Sequence, residues 1–292
     1  MKGAHAIDRE YRVLDALSKT NIPVPKPILF CADTIILGTP FYVMERLEGR
    51  VFHDAALPNL SHEERRALYL SMAETLATLH AIDPEAVGLS DFGRPGNYFE
   101  RQLARWSKQW RESITKPIPA LDQLIEHLTR VLPKEDGCVS IVHGDYRMGN
   151  LMVHPTEPRI IGILDWELST LGHPLADLGF AAMAWHTTPK DYGGIASLDL
   201  QRLGISSEED FIQSYMRLSK HGLTLKSFHI AFALFRFAVI FVGIADRARL
   251  GNAAGKNAQE LAPLAERFAE IGLSVLKNGL SLNQQSPLRP LL

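Results

Sequence analysis

Asp145, Asn150 and Asp165 are the residues of this chain whose types and spacing most clearly specify a chemistry. Asp145 sits in the run Val142-His-Gly-Asp-Tyr-Arg-Met-Gly-Asn150, and Asn150 follows it by five residues. Asp165 lies fifteen residues beyond Asn150, in Ile163-Leu-Asp-Trp-Glu167. Phosphoryl transfer needs a carboxylate to orient, or take the proton of, the attacking hydroxyl. It also needs an Asn and a second Asp to hold magnesium against the phosphates of a nucleotide. A loop carboxylate is ionised at neutral pH and can take the first role. Magnesium prefers hard oxygen donors, few of them from the protein, and an amide oxygen with a carboxylate meets that need. The reading is therefore Asp145 as the catalytic residue and Asn150 and Asp165 as metal ligands. The plainer alternative is a polar turn between two hairpin strands.

The elements that must position these residues follow from the flanking pattern. Val139–Val142 and Leu151–Val153 read as strands on either side of the loop, and a third strand, Arg159 to Leu164, delivers Asp165 beside it. His143 is expected to hydrogen-bond backbone near the loop. Arg147 is expected either to balance charge near phosphates or substrate, or to lie solvated. Glu167 is expected to be a structural carboxylate, with contact to metal or substrate as the alternative. Upstream, Ile7, Tyr11, Leu14 and Leu17 recur at helical spacing. Three prolines between Pro23 and Pro27 end that helix. Ile28–Ala32 and Phe41–Arg46 then read as strands, with Thr34-Ile-Ile-Leu-Gly as a short strand between them. From Ser61 the chain reads as helical. Ser61 with Glu64, and Ser206 with Glu209, fit capping boxes. Helices are expected from 97 to 112 (capped by Asn97), 119 to 132, 174 to 186, 206 to 222, 225 to 249 and 257 to 277, followed by a loose tail.

His143-Gly-Asp145-x4-Asn150, Leu164-Asp-Trp-Glu167 and His173-Pro-Leu-Ala-Asp177-Leu together resemble the aminoglycoside phosphotransferase and choline kinase-like family. Asp8-Arg-Glu-Tyr11, Gly38-Thr-Pro-Phe-Tyr-Val-Met-Glu45, Gly93-Arg-Pro-Gly-Asn-Tyr-Phe99 and Asp165-Trp-Glu-Leu-Ser-Thr-Leu-Gly172 are similar to a subgroup, the kinase-like domain that accompanies acyl-CoA dehydrogenases. The resemblance spans roughly residues 4 to 275. It implies an α+β, protein-kinase-like two-lobed fold with a mostly helical C-terminal lobe. It implies that Asp177 supports the catalytic loop. It also makes Met44-Glu45-Arg46-Leu47 a hinge, with the Glu45 carbonyl and the Leu47 N–H facing adenine. Glu10 resembles the helix Glu that pairs with a strand Lys on the α- and β-phosphates. Only nine residues precede Glu10, without a glycine-rich loop or a Lys-bearing strand, so the N-terminal lobe is expected to be truncated. The spans expected are a partial nucleotide-binding lobe and hinge at 1–48, a catalytic and substrate lobe at 49–280, and a tail at 281–292. Arg94, Arg101 and Arg105 lie in a region that often roofs the substrate side in this family; they are read as ordinary helix surface, with contact to an anionic substrate as the alternative.

Composition sets the outer bounds. Of 292 residues 46% are hydrophobic and 22% charged, as in an ordinary globular protein. The net charge of −2 gives no general electrostatic basis for binding nucleic acid. The most apolar stretch, Phe228 to Ala245, carries Arg236 in its middle and reads as a buried helix, with no membrane span expected. The N-terminus lacks the apolar core of a signal peptide. Cys31 and Cys138 lie far apart without metal spacing, so reduced thiols and a cytoplasmic location are expected. The expected function is ATP- and magnesium-dependent phosphorylation of a hydroxyl on a small molecule, with a hydroxylated acyl-CoA or related acid suggested by the subgroup. A pseudokinase or binding module that holds a small molecule without turnover is the alternative.

Overall fold

The computed structural model describes residues 7–114, 116–249 and 262–280. The tail from Ser281 and the first residues expected in the last helix, 257 to 261, lie outside them.

The N-terminal helix α1 (Ile7–Leu17) buries Val13, Leu14, Ala16 and Leu17. Beside it Pro27–Cys31 (β1) and Phe41–Met44 (β2) form an antiparallel two-stranded sheet. The ring of Tyr11 joins helix to sheet, with centroids 5.6 Å from Phe30 and 6.3 Å from Tyr42. Thr34–Leu37 is a one-turn helix (α2), and not the strand its composition suggests. Asp33 caps its start by accepting from the Ile35 amide, and Gly38 closes it at φ 80, returning its N–H to Thr34. Those two end residues override the β propensity of the isoleucines between them.

After Met44 the chain crosses to the larger lobe, where Arg50–Val51 (β3) pairs with Leu151–Val153 (β5), and β5 pairs with Ile160–Ile163 (β6). Ser140–Val142 (β4) pairs elsewhere, with Thr170–Gly172 (β7). The strands flanking the Asp145 loop therefore belong to different sheets, and the loop bridges them. Sequence reading missed β7. Three residues give no periodicity, and the pairing is long-range.

The remaining elements are helices. His62–His80 (α3) opens with the reciprocal Ser61–Glu64 box. Tyr98–Arg111 (α4) follows, but Asn97 does not cap it: it is left-handed at φ 47 and its side chain makes no cap bond. Pro119–Arg130 (α5) starts with Pro at its first turn, where no N–H is lost. Leu175–Ala182 (α6) tightens into a 3₁₀ turn at Met183–Trp185. A short helix at Leu200–Leu203 (α7) precedes Glu208–Leu218 (α8). The cap of α8 is Ser207 accepting from Asp210 N, one residue later than expected; Ser206 is buried, and its carbonyl accepts from the Trp185 indole at 3.1 Å. Ser227–Arg249 (α9) and Ala262–Asn278 (α10) complete the bundle.

Helix α9 has the length and composition of a membrane span, with mean hydropathy 2.2, yet 83% of that window is buried inside the protein. It packs on α4, α5, α6 and α10. Each buried Phe along it contributes about 1.5–3 kcal/mol relative to exposure.

The hairpin contrasts with this core. Ile28, Ile35, Ile36 and Leu37 are exposed, Ile35 by 90%. An exposed strand edge with apolar neighbours invites association. Ile35→Glu with Ile36→Lys is therefore expected to change stability by no more than ~0.5 kcal/mol and to lower self-association in sedimentation velocity. A large fall in Tm would mean that this turn is packed in solution.

Candidate active site

A glycine and a buried carboxylate shape the loop after β4. Gly144 sits at φ 86, and a Cβ there would meet the Leu168 carbonyl oxygen at 2.7 Å. Asp177, 1% exposed in the first turn of α6, accepts the amides of His143 at 2.6 Å and Gly144 at 2.8 Å. His80 on α3 reaches the same carboxylate with Nε2 at 3.3 Å, and its Nδ1 meets the Tyr215 hydroxyl at 2.7 Å. Burial alone would raise the pKa of Asp177. The hydrogen bond and charge of His80, the nearby His143 and the Gly144 amide outweigh burial and hold it below the usual carboxylate value.

His143 is fully buried and acts as a strut. Its Nε2 faces the Leu164 carbonyl at 2.8 Å, and its Nδ1 accepts the Asp145 amide at 3.2 Å. The Asp145 amide donates to Nδ1, and Nε2 donates to the Leu164 carbonyl. The ring thereby ties Asp145 to the residue just before Asp165.

The structure brings the three chemistry-bearing residues together. Asn150 donates through Nδ2 to the Asp145 carbonyl at 2.9 Å and to its carboxylate at 2.8 Å. Both contacts are to acceptors, so the amide oxygen of Asn150 points away from Asp145 and is available to a cation. The Leu164 amide donates to the Asn150 carbonyl at 2.9 Å, which sets Asp165 beside it. Asp165 is exposed and left-handed, at φ 64. That conformation costs a non-glycine residue about 1–3 kcal/mol and recurs at functional sites. An amide oxygen and an exposed carboxylate on adjoining segments fit the hard-donor requirement of magnesium.

The other expected residues fall around this centre. Arg147 lies 3.4 Å from the Asp145 carboxylate and 5.7 Å from the Tyr192 ring centre. Glu167 is exposed just past Asp165. Glu10 accepts from the Tyr42 hydroxyl at 3.2 Å. Burial first, and then the charges of Glu10 and Asp165, push the Tyr42 phenol up to about 12. Met44 is exposed at the end of β2, and the Glu45 amide extends the ladder one step, to the Lys26 carbonyl at 2.8 Å. The Leu47 side chain lies over Gly162 on β6, where a Cβ would meet it at 2.4 Å.

Arg94, Arg101 and Arg105 follow the surface reading and not the anionic-substrate alternative. Arg101 turns back onto the Arg94 and Pro95 carbonyls of its own loop. Arg105 lines a groove between α4 and α9. Neither they nor Arg94 line the cavity beside the catalytic loop. That cavity, of about 70 Å³, is walled by Met72, Phe180, Met183 and Phe237, with Arg147 and His53 among its polar residues.

A second cluster, Asp136, Cys138 and His173, has ligand atoms within 4.8 Å of one another. Its hydrogen bonds argue for a brace. The Leu175 amide donates to His173 Nδ1, so Nε2 carries the proton and donates to Asp136 at 3.2 Å. A metal at Nε2 would need the opposite tautomer. Burial and the charge of Asp136 push the Cys138 thiol up, away from the thiolate a metal would take.

The family model described as the phosphotransferase enzyme family matches residues 2–202, more than half of the chain. The chain belongs to that family. Its fold is the kinase-like fold of the aminoglycoside phosphotransferases. A crystal structure from Ralstonia eutropha, described as a candidate aminoglycoside phosphotransferase, superposes with a TM-score of 0.89 at 45% identity, covering 94% of this chain and 84% of that one. A ternary complex of aminoglycoside phosphotransferase APH(4)-Ia with AMP-PNP and hygromycin B shares the fold, with a TM-score of 0.60 at 14% identity over 92% of this chain and 81% of that one. Human acyl-CoA dehydrogenase family member 11 is 40% identical over 283 residues, and mouse family member 10 is 36% identical over 292. These matches cover 95% and 98% of this chain but only 36% and 27% of the two relatives. The chain thus spans about a third of the length of these curated relatives, or less.

The lowered Asp177 gives a pH prediction. A carboxylate held below its unfolded value adds stability above that value, near 3.9, and the stability is lost as pH falls through the lowered folded value. Tm should therefore drop below pH ~4 in the natural chain. Asp177→Asn should be less stable at pH 7, because one of its two amide acceptors becomes a donor, and should lack this acid-dependent loss. A variant with the natural acid limb would assign that limb elsewhere.

Proposed function

We propose that the chain is an ATP- and magnesium-dependent kinase that phosphorylates a hydroxyl of a small molecule with an apolar body and an acidic or thioester end, such as a hydroxylated acyl-CoA. The observation that carries the reading is the Asp145–Asn150 contact, with Asp165 held alongside. Asp145, steadied by Asn150 and Arg147, accepts the hydrogen bond of the acceptor hydroxyl and aims its oxygen. Asn150 Oδ1 and the Asp165 carboxylate hold the metal, which when bound neutralises charge on the phosphates. The Glu45 carbonyl and Leu47 amide, where the chain leaves β2, receive the adenine edge, and the family resemblance assigns Glu10, bonded to Tyr42, to the phosphate side.

The cavity supports the acceptor class. Its walls are largely apolar, and none of its lining residues is a carboxylate. Aminoglycosides are polycations, and a site for them calls for acidic groups. Arg147 and His53 suit an anionic or thioester end instead. The names of the acyl-CoA dehydrogenase relatives point the same way.

Asp145→Asn should lower kcat by two orders of magnitude or more and leave Mg-ATP affinity nearly unchanged, because the residue acts on the acceptor. Turnover is to be followed as ATP consumption with 3- and 4-hydroxy acids and their CoA esters. Retention of more than about a tenth of kcat, a barrier change below ~1.4 kcal/mol, would refute the assignment.

Asp165→Ala should abolish magnesium-dependent nucleotide binding in calorimetric titration, and Asn150→Ala should weaken it. Unchanged affinity in both would remove the metal assignment. Binding of Mg-ATP by the natural chain with no consumption against any acceptor would instead favour a binding module.

A further inference from the structure

Arg236 sits in the middle of α9, which among the described residues is the one helix long and apolar enough to cross a membrane, and it is only 8% exposed. A buried guanidinium costs several kcal/mol of lost hydration unless its surroundings compensate. Among the described residues no carboxylate lies within 4.0 Å of it, and its Nε has no hydrogen-bond partner. What it does contact is the catalytic loop. Nη2 donates to the Gly144 carbonyl, and the guanidinium lies 5.1 Å from the centre of the Phe180 ring.

That carbonyl belongs to the peptide joining Gly144 to Asp145. The N–H of the same peptide is taken by His143 Nδ1 at 3.2 Å. The preceding N–H, that of Gly144, is taken by Asp177 at 2.8 Å. Gly144 at φ 86 has the freedom to let this peptide rotate. Rotation would break the His143 contact and swing the Asp145 side chain away from Asn150. Arg236 is the group that opposes rotation from the carbonyl side. Phe180 beneath it and Phe237 next to it in sequence both line the cavity beside the loop, so the walls of that cavity also set the position of Arg236.

We propose that Arg236 is a positioning residue for phosphoryl transfer: it clamps the Gly144–Asp145 peptide in the orientation that aims Asp145 at the acceptor. The inference rests on the kinase reading above. A one-ångström misplacement of a reacting group can cost about 10²-fold in rate, so the clamp should appear in kcat and not in nucleotide binding.

The test compares Arg236→Met, Arg236→Lys and Arg236→Ala in the full chain with Mg-ATP and the hydroxyacyl acceptors. The expected result is a fall of about 10²-fold in kcat for the Met variant, with Mg-ATP affinity unchanged within about twofold. The Lys variant should be less impaired, and added guanidinium should restore part of the activity of the Ala variant but not of the Met variant, whose side chain fills the space. In parallel, the Gly144 carbonyl carbon and Asp145 amide nitrogen resonances should shift in Arg236→Met, and return towards their natural positions when guanidinium is added to Arg236→Ala. A kcat within about threefold of the natural chain overturns the proposal, as does a joint loss of kcat and Mg-ATP affinity without guanidinium rescue. If Arg236→Met fails to fold, the Lys variant and the guanidinium rescue decide. A natural chain that consumes no ATP refutes the kinase reading itself; the Gly144 resonance then decides the clamp, and an unchanged resonance in the variants overturns it.

Discussion

A single buried carboxylate, Asp177, holds the geometry on which the rest of the site depends. A loop that leaves β4 and must enter a different sheet at β5 has no ladder of its own. Its first two amides would be unsatisfied in the interior, at a cost of about 1–3 kcal/mol each. Asp177 takes both, and His80, oriented by Tyr215, partners the carboxylate in return. Elements far apart in sequence, α3, α6 and α8, thus converge on one turn of backbone. From that turn His143 reaches Leu164, and Asn150 reaches Asp145. The order of dependence runs from buried charge to loop shape to the placement of the polar groups.

Much of this was legible in sequence, for a physical reason. His-Gly-Asp-x4-Asn and Leu-Asp-Trp-Glu are local motifs, and local backbone demands such as the left-handed Gly144 leave a residue signature. The Ser61–Glu64 cap was readable in the same way, because both partners lie within one turn. The failures are equally specific. Thr34–Leu37 looked like a strand because its isoleucines outweighed the capping Asp33 and Gly38 in a composition-based reading. The cap of α8 shifted by one residue because two serines adjoin. Strand β7 and the roles of Tyr42, Tyr215 and Arg236 depend on partners 28 to 135 residues away or on tertiary packing, which no local pattern encodes. Arg236 did leave a trace, as a charge in the middle of an apolar run, but the run was read only for its bearing on a membrane.

The arginines of α4 behave as helix-surface residues. Arg101 serves the carbonyls of its own loop, and Arg105 faces a groove on another side of the molecule. The cavity beside the loop draws its positive charge from Arg147 instead, two residues from Asp145. That cavity is largely apolar and lined by no carboxylate, which on the proposed reading suits an acceptor other than a polycationic antibiotic.

The account is tested most directly by amide hydrogen exchange at His143 and Gly144. If both amides are bound by Asp177 in a buried network, they exchange only through large-scale opening, with free energies close to the global stability of the lobe, and much more slowly than amides of the exposed segment around Arg94 to Gly96. Exchange at the rate of that exposed segment would mean that the loop is not anchored by Asp177, and the proposed order of dependence would be wrong.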